Sequence, residues 1–280
     1  MNGAAMGENL IIDTHAHIID PARFPFPEGP GYKPLPHEIG TREAYCAVLD
    51  AHGVAHALLV QPSGYGYDNA AVLDAMARHP GRFKTIAVVD PTTPEAELVA
   101  LAGHGVVGVR FNLQSHRRDA LEGPQAARFL ARLKALGWFA QVFADDAQWL
   151  SAAPLLRRSG VKVLVDHFGV RDPAAGISQP GFAAVLGLGR EGNATVKLSA
   201  PFRISRPGGD FADLDPFAEA LIAAFGIEGC IWGSDWPFIN FAPGFSYDAA
   251  LRAVERWLPD PGQRAAVTGA NPARLFGFGA

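Results

Sequence analysis

The chain has 280 residues, 49% hydrophobic and 19% charged, with a formal net charge of −4. That composition supports a large core and excludes a disordered chain. The lack of any Lys/Arg run argues against nucleic acid or an anionic membrane as partner. Two well-separated cysteines, Cys46 and Cys230, exclude a disulfide scaffold and make a reducing cytoplasm the default location. The N-terminal stretch lacks a basic segment followed by an apolar one, so no signal peptide is expected. No apolar run nears the roughly 20 residues of a membrane span.

Residues 10–17, LIIDTHAH, read as a buried strand ending in two histidines. Side chains two apart on a strand share a face, so His15 and His17 project together. Residues 18–40 are dense in Pro and Gly and too long for a plain connector, which points to a lid or binding loop. Thr41 can cap a helix carrying Tyr45, Val48 and Leu49 on one face, ended by Gly53. Regular alternation follows. Strands are expected at 56–61, 83–90, 106–112, 138–145, 161–169, 194–199 and 230–237. Helices are expected at 68–79, 94–103, 124–136, 147–158, 180–186, 214–225 and 247–258. A last helix at 262–267 leads into TGANPARLFGF.

The strands are short, β-branched and nearly continuous in apolar character, as strands buried on both faces of a parallel sheet are. Strand–helix alternation repeated about eight times predicts a TIM (β/α)8 barrel, an α/β fold, as one domain over residues 1–280 with an extra C-terminal helix. A doubly wound open sheet would carry a Gly-rich phosphate turn after its first strand, where this chain has DTHAH.

In such a barrel, chemistry sits at the C-terminal strand ends. Those ends supply His15 and His17; Gln61 and Ser63; Arg110 and Asn112, then a loop with His116, Arg117 and Arg118; Phe143, Asp145 and Asp146; Asp166 and His167, with Arg171 beyond; Ser199, with Arg203 in the next loop; and Asp235, then Trp236 and Asn240. Buried charge at so many separate strand ends needs partners or a ligand. Individual bland readings compete. Asp145 and Asp146 suit the N-terminus of the next helix, Ser63 suits a turn, Arg117 and Arg118 suit a solvated loop, and Trp236, Phe238 and Phe241 suit loop packing. Three histidines and an aspartate could also bind Zn²⁺.

DTHAH, DHFG, WGSDWP and the closing NPARLFG together resemble the amidohydrolase superfamily, in its amidohydrolase 2 branch. Within it the chain looks like the 2-pyrone-4,6-dicarboxylate lactonases and related lactonases. The resemblance implies a reaction centre of His15, His17, His167 and Asp235. It implies that Arg110, Arg171, Arg203 and Ser63 hold substrate carboxylates, with Arg117 a weaker match, and Asn240 joins the substrate-binding set. The tyrosine usual on strand five of that group is Phe143 here, and its WPH sequence is WPF, ending in Phe238. The superfamily's common metal site takes its third histidine from strand five, which has none here. The resemblance therefore implies that no cofactor is required, a divalent metal such as Zn at His15, His17 and Asp235 being optional.

The expected function is hydrolysis of a small anionic, carboxylate-bearing lactone. Asp235 would activate water, and His15, His17 and His167 would polarise the carbonyl. A neutral sugar-lactone hydrolase, a metal-dependent decarboxylase and a non-catalytic carboxylate-binding barrel are the alternatives. The sequence leaves the oligomeric state open.

Overall fold

Every strand of the alternation forms. The structure, a computed structural model, describes residues 10–28, 32–115, 119–170, 172–207, 209–241 and 243–279. The strands are β1 (Ile12–Ala16), β2 (His56–Val60), β3 (Phe83–Ala87), β4 (Val106–Asn112), β5 (Phe139–Phe143), β6 (Lys162–Val165), β7 (Ala194–Lys197) and β8 (Cys230–Ile231). They pair in parallel in chain order. The circle closes through residues just past β8: Thr14 N donates to Trp232 O at 3.1 Å, Asp235 N to His15 O at 2.7 Å and His17 N to Trp236 O at 2.8 Å. This is the nearly closed TIM barrel expected from the pattern.

Helices α1 (Arg42–Ala51), α2 (Ala70–Arg78), α3 (Glu95–Gly103), α4 (Gly123–Ala135), α5 (Asp146–Ser159), α6 (Pro180–Arg190) and α7 (Asp215–Phe225) link successive strands. Thr41 caps α1, its hydroxyl accepting from Ala44 N, and Asp145 caps α5, accepting from Gln148 N. Asp145 thus has the capping place that its position before a helix suggests. After β8 come α8 (Tyr247–Ala253), α9 (Pro261–Ala265), a wider turn at Ala266–Ala270 and α10 (Asn271–Phe276). The C-terminal helix runs further than the 262–267 expected. Pro272 is the second residue of α10, directly after the wider turn. Asn271 Nδ2 ties the start of α10 to the base of β8 through Ile227 O and Cys230 O, at 2.8 and 2.9 Å.

One apolar layer, with Leu59, Val109, Val142, Val163 and Val196, lies between strands and helices. A second fills the lower barrel: Ile12, Leu58, Val60, Ile86, Phe139, Leu164 and Ile231, sealed by Phe276 and Phe278.

Two departures from the expected pattern shape the site. β8 was expected over 230–237 but stops at Ile231, because Gly233 lies against His15, where a Cβ would come within 2.7 Å, and Asp235 takes a left-handed backbone with φ 64°. β6, expected over 161–169, stops at Val165, and His167 and Phe168 follow with φ 48° and 61°. Such conformations cost non-glycine residues roughly 1–3 kcal/mol each and gather where function holds them.

Candidate active site

Alternation carries the interior face of each strand from hydrocarbon to polar groups. Two residues above the apolar layer stand Arg110 on β4, Gln141 on β5 and Lys197 on β7, with Asp166 just past β6; all four are buried. One further step brings Asn112, Phe143 and Ser199. β1 does not alternate strictly. A register shift between Asp13 and Ala16 lets Ile12 join the apolar layer while His15 and His17 both reach the polar one.

The floor is tied together by Asp13. One of its oxygens accepts from His15 N at 3.1 Å and Ser234 N at 2.9 Å. The other accepts from Tyr45 Oη at 2.8 Å, Tyr247 Oη at 3.0 Å and Ser234 Oγ at 2.5 Å. Burial pushes the Asp13 carboxyl up, against those bonds. The knot joins the end of β1 to the segment after β8 and so fixes His15 and Asp235 relative to each other.

Asp235 Oδ1 lies 3.5 Å from His17 Nε2 and 3.7 Å from His15 Nε2. The other Asp235 oxygen accepts from Arg203 Nε, and Arg203 Nη1 also reaches Ile239 O at 2.5 Å. Burial alone would raise the Asp235 carboxyl, but the Arg203 guanidinium carries it well below the usual carboxylate range. The His15 and His167 rings lie 4.5 Å apart. Burial lowers the pKa of all three histidines, that of His167 to about 4, so they are neutral at pH 7.

His17 Nδ1 lies 2.7 Å from Val60 O. A carbonyl oxygen only accepts, so Nδ1 carries the proton and Nε2 of the neutral ring presents a lone pair. His167 Nδ1 meets the Ser199 hydroxyl at 2.9 Å, a partner that can donate or accept. Ligand-type atoms of His15, His17 and Asp235, and of His15, Asp166 and His167, lie within 4.8 Å of one another.

Above this floor opens a cavity of about 690 Å³, lined by His17, His167 and Asp235 below and by Ser63, Arg110, Asn112, Phe143, Arg203 and Asn240 on its walls. Arg110 Nη1 donates to Gln61 O at 3.3 Å, Arg110 Nε is 3.8 Å from Asp166 Oδ2, and burial lowers the guanidinium's pKa. Asn112 Nδ2 donates to Ser63 Oγ at 2.8 Å. The Pro-rich loop contributes Tyr32 to the wall. Tyr32 Oη and Leu35 N donate to one oxygen of the buried Glu38, and Asn240 N donates to the other. The loop and the segment after β8 therefore hold each other. Phe241, read from sequence as loop packing, packs against Phe202 with ring centres 4.7 Å apart and ring planes tilted by 58°, and lines the same wall.

Of the sequence-derived set, His15, His17, His167, Asp235, Arg110, Arg203, Ser63 and Asn240 converge here. Arg171 and the loop residues His116, Arg117 and Arg118 lie outside the described residues. Asp13, Gln141, Lys197 and Glu38 were not singled out. For Lys197 the signal was present: a lysine inside an apolar strand, two residues before Ser199, falls on the interior face.

The amidohydrolase family profile matches residues 12–278. A 4-sulfomuconolactone hydrolase from Rhizobium radiobacter is 33% identical over 271 residues, covering 95% of this chain and 89% of the relative. A 2-pyrone-4,6-dicarboxylate hydrolase from Comamonas testosteroni is 28% identical, covering 95% and 89%. A crystal structure from Acinetobacter baumannii, described as a probable 2-pyrone-4,6-dicarboxylic acid hydrolase with citric acid bound, superposes with a TM-score of 0.86 at 32% identity, covering 96% of this chain and 99% of that one. With the match running from the first strand of the barrel to the aromatic plug at its base, the chain belongs to the amidohydrolase family.

Proposed function

We propose that the protein hydrolyses a carboxylate-bearing lactone, using Asp235 to activate water. The observation that carries this is the Asp235 carboxylate on the cavity floor, with His17 Nε2 3.5 Å away and the cationic Arg203 and Arg110 beside it. The relatives' names support a lactone hydrolase, and the bound citric acid of the Acinetobacter baumannii structure supports a substrate with carboxylates.

A divalent metal fits these donors poorly. β5 brings Gln141 and Phe143 to the site rather than an imidazole. The second Asp235 oxygen already carries a guanidinium, and Lys197 and Arg110 add further buried positive charge. The reaction is therefore assigned to carboxylate, imidazole and water.

A substrate carboxylate draws Arg203 from Asp235, since a guanidinium fork suits either carboxylate. The released Asp235 becomes a stronger base. Water, held by Asp235 Oδ1 and the His17 lone pair, attacks the ring carbonyl carbon, and its proton passes to Asp235. The carbonyl oxygen becomes an oxyanion that accepts from His15 Nε2–H and from His167 Nε2–H, His167 Nδ1 accepting a hydrogen bond from the Ser199 hydroxyl. Collapse breaks the ring C–O bond, and Asp235 returns the proton to the departing oxygen, leaving an open-chain acid. In this scheme His17 holds water, in place of the carbonyl-polarising part expected from sequence. Arg110, Ser63 and Asn240 orient the remaining polar groups of the ring.

The test is a panel of lactones with and without carboxylates, followed by loss of the ring. Turnover of the anionic members is expected. Preference for neutral sugar lactones would instead support a neutral sugar-lactone hydrolase.

A further inference from the structure

Lys197 takes no part in the steps above, yet it lies directly behind His15. It is fully buried, with Nζ 2.8 Å from Gln141 Oε1, 3.2 Å from Asp166 Oδ1 and 3.2 Å from His15 Nδ1. Gln141 Nε2 donates to Asp166 Oδ2 at 3.0 Å, which turns the Gln141 carbonyl oxygen toward the lysine. We propose that Lys197 is a positioning residue that holds His15 in the Nε2–H form, so that the two histidines of the His-x-His motif work as opposite tautomers.

The chemistry of the contact carries the inference. An ammonium has three donors and no lone pair, so a nitrogen in hydrogen bond with it must accept. His15 Nδ1 is then unprotonated, and the proton of the neutral ring sits on Nε2. Asp166 offers the opposite outcome, because its Oδ1 lies 3.3 Å from the same Nδ1 and could take an Nδ1 proton. That oxygen makes no hydrogen bond among the described residues, whereas the Lys197–His15 contact has hydrogen-bond geometry. Asp166 Oδ1 instead pairs with Lys197 Nζ at 3.2 Å, and a buried carboxylate beside a buried amine keeps that amine charged. Nζ also donates to Gln141 Oε1 at 2.8 Å, so the amine sits between a carboxylate and a carbonyl oxygen, the surroundings of an ammonium.

His15 Nε2 is itself buried with no partner among the described residues, and Asp235 Oδ1 is 3.7 Å away. An unpaired N–H there is costly in the free protein and is satisfied when an oxygen bearing negative charge forms above it. His17 is the mirror case, its Nδ1 proton taken by Val60 O and its Nε2 lone pair facing the same carboxylate. One ring donates to the oxyanion and the other accepts from water. A histidine serving a metal donates its second N–H to a carboxylate or carbonyl. His17 has that form. Lys197 denies it to His15.

The test is side-chain ¹⁵N NMR on the labelled full-length protein at pH 7. His15 is expected with Nε2 protonated and Nδ1 bare, and His17 the reverse. In Lys197→Met the His15 proton is expected to move toward Nδ1, where Asp166 can accept it. Zinc binding, read by calorimetry, should tighten about 10- to 100-fold, and kcat should fall by a similar factor with KM within about threefold. If Lys197→Met fails to fold, the double variant Lys197→Met/Asp166→Leu removes the stranded carboxylate and should show His15 as a mixture of both forms. A wild-type His15 protonated at Nδ1, or a Lys197 variant that keeps the proton on Nε2, overturns the proposal. The kinetic arm rests on the lactonase reading; the spectra and zinc binding do not, so the two ideas can fail separately.

Discussion

At the level of Leu58, Ile86 and Leu164 the barrel interior is hydrocarbon, closed from below by Phe276 and Phe278. Two residues beyond Phe139 on β5 and Leu164 on β6 it holds Gln141 and Asp166, with Lys197 beside them from β7. The same strands, at the same burial, thus line two regions governed by different terms. The lower region gains from removing apolar surface from water and from close packing. The upper region pays desolvation for every charge and recovers it only through partners. Its left-handed backbones at His167, Asp235 and Asn240 add local cost. The lower half holds the barrel shut, and the upper half spends part of that stability on a pre-set arrangement of charges.

If the two halves divide labour in this way, substitutions should separate activity from stability. The largest effect is expected for Asp235→Asn, which should cut turnover about 10²–10⁴-fold while the circular dichroism spectrum stays native. A variant with near wild-type turnover would remove Asp235 from the chemistry. Phe276→Ala should do the reverse, lowering unfolding free energy by about 3–5 kcal/mol in a denaturant titration and leaving kcat unchanged at temperatures where the variant is folded. Comparable loss of kcat there would show that the plug and the site are coupled.

Acid should act through the upper half. Burial pushes the His167 imidazole down to about 4 in the folded protein, from an ordinary value of about 6.5. A depressed histidine means that the unfolded chain takes the proton first. Its contribution is intact above about pH 6.5 and is lost progressively as pH falls toward 4, by up to about 3 kcal/mol for this group alone. Urea midpoints measured from pH 7 down to 4.5 should fall, and less steeply in His167→Asn. A flat profile would contradict a buried neutral imidazole.

The smallest of these effects belongs to the rim. Arg203→Gln should raise KM for an anionic lactone about 10- to 100-fold, the worth of one charge-assisted hydrogen bond, with little change for a neutral lactone. The same variant frees Asp235 from its guanidinium, so the acid limb of the kcat/KM profile should move to higher pH. Equal losses on both substrate classes would place Arg203 in support of Asp235 alone.

Local sequence determined the elements and their order. Short, nearly continuous apolar strands separated by amphipathic segments, with no Gly-rich turn after the first, point to a barrel of parallel strands, and the strand-end positions of His15, His17, Arg110, His167 and Asp235, with Arg203 in the loop after the seventh strand, follow from that count. The pairing of their charges did not follow. Asp13 reads as one more polar residue in DTHAH until Tyr45, Ser234 and Tyr247, from far along the chain, converge on it. Glu38 looks like an exposed loop acid until Tyr32 and Asn240 bury it. The register shift in β1 breaks the simple alternation from which interior positions are read. Whether an imidazole nitrogen donates or accepts depends on the atom behind the ring: Val60 O for His17, Lys197 Nζ for His15. Those neighbours are 43 and 182 residues away in sequence. Spacing placed both histidines on one face, and only the closed barrel assigned each ring its partner.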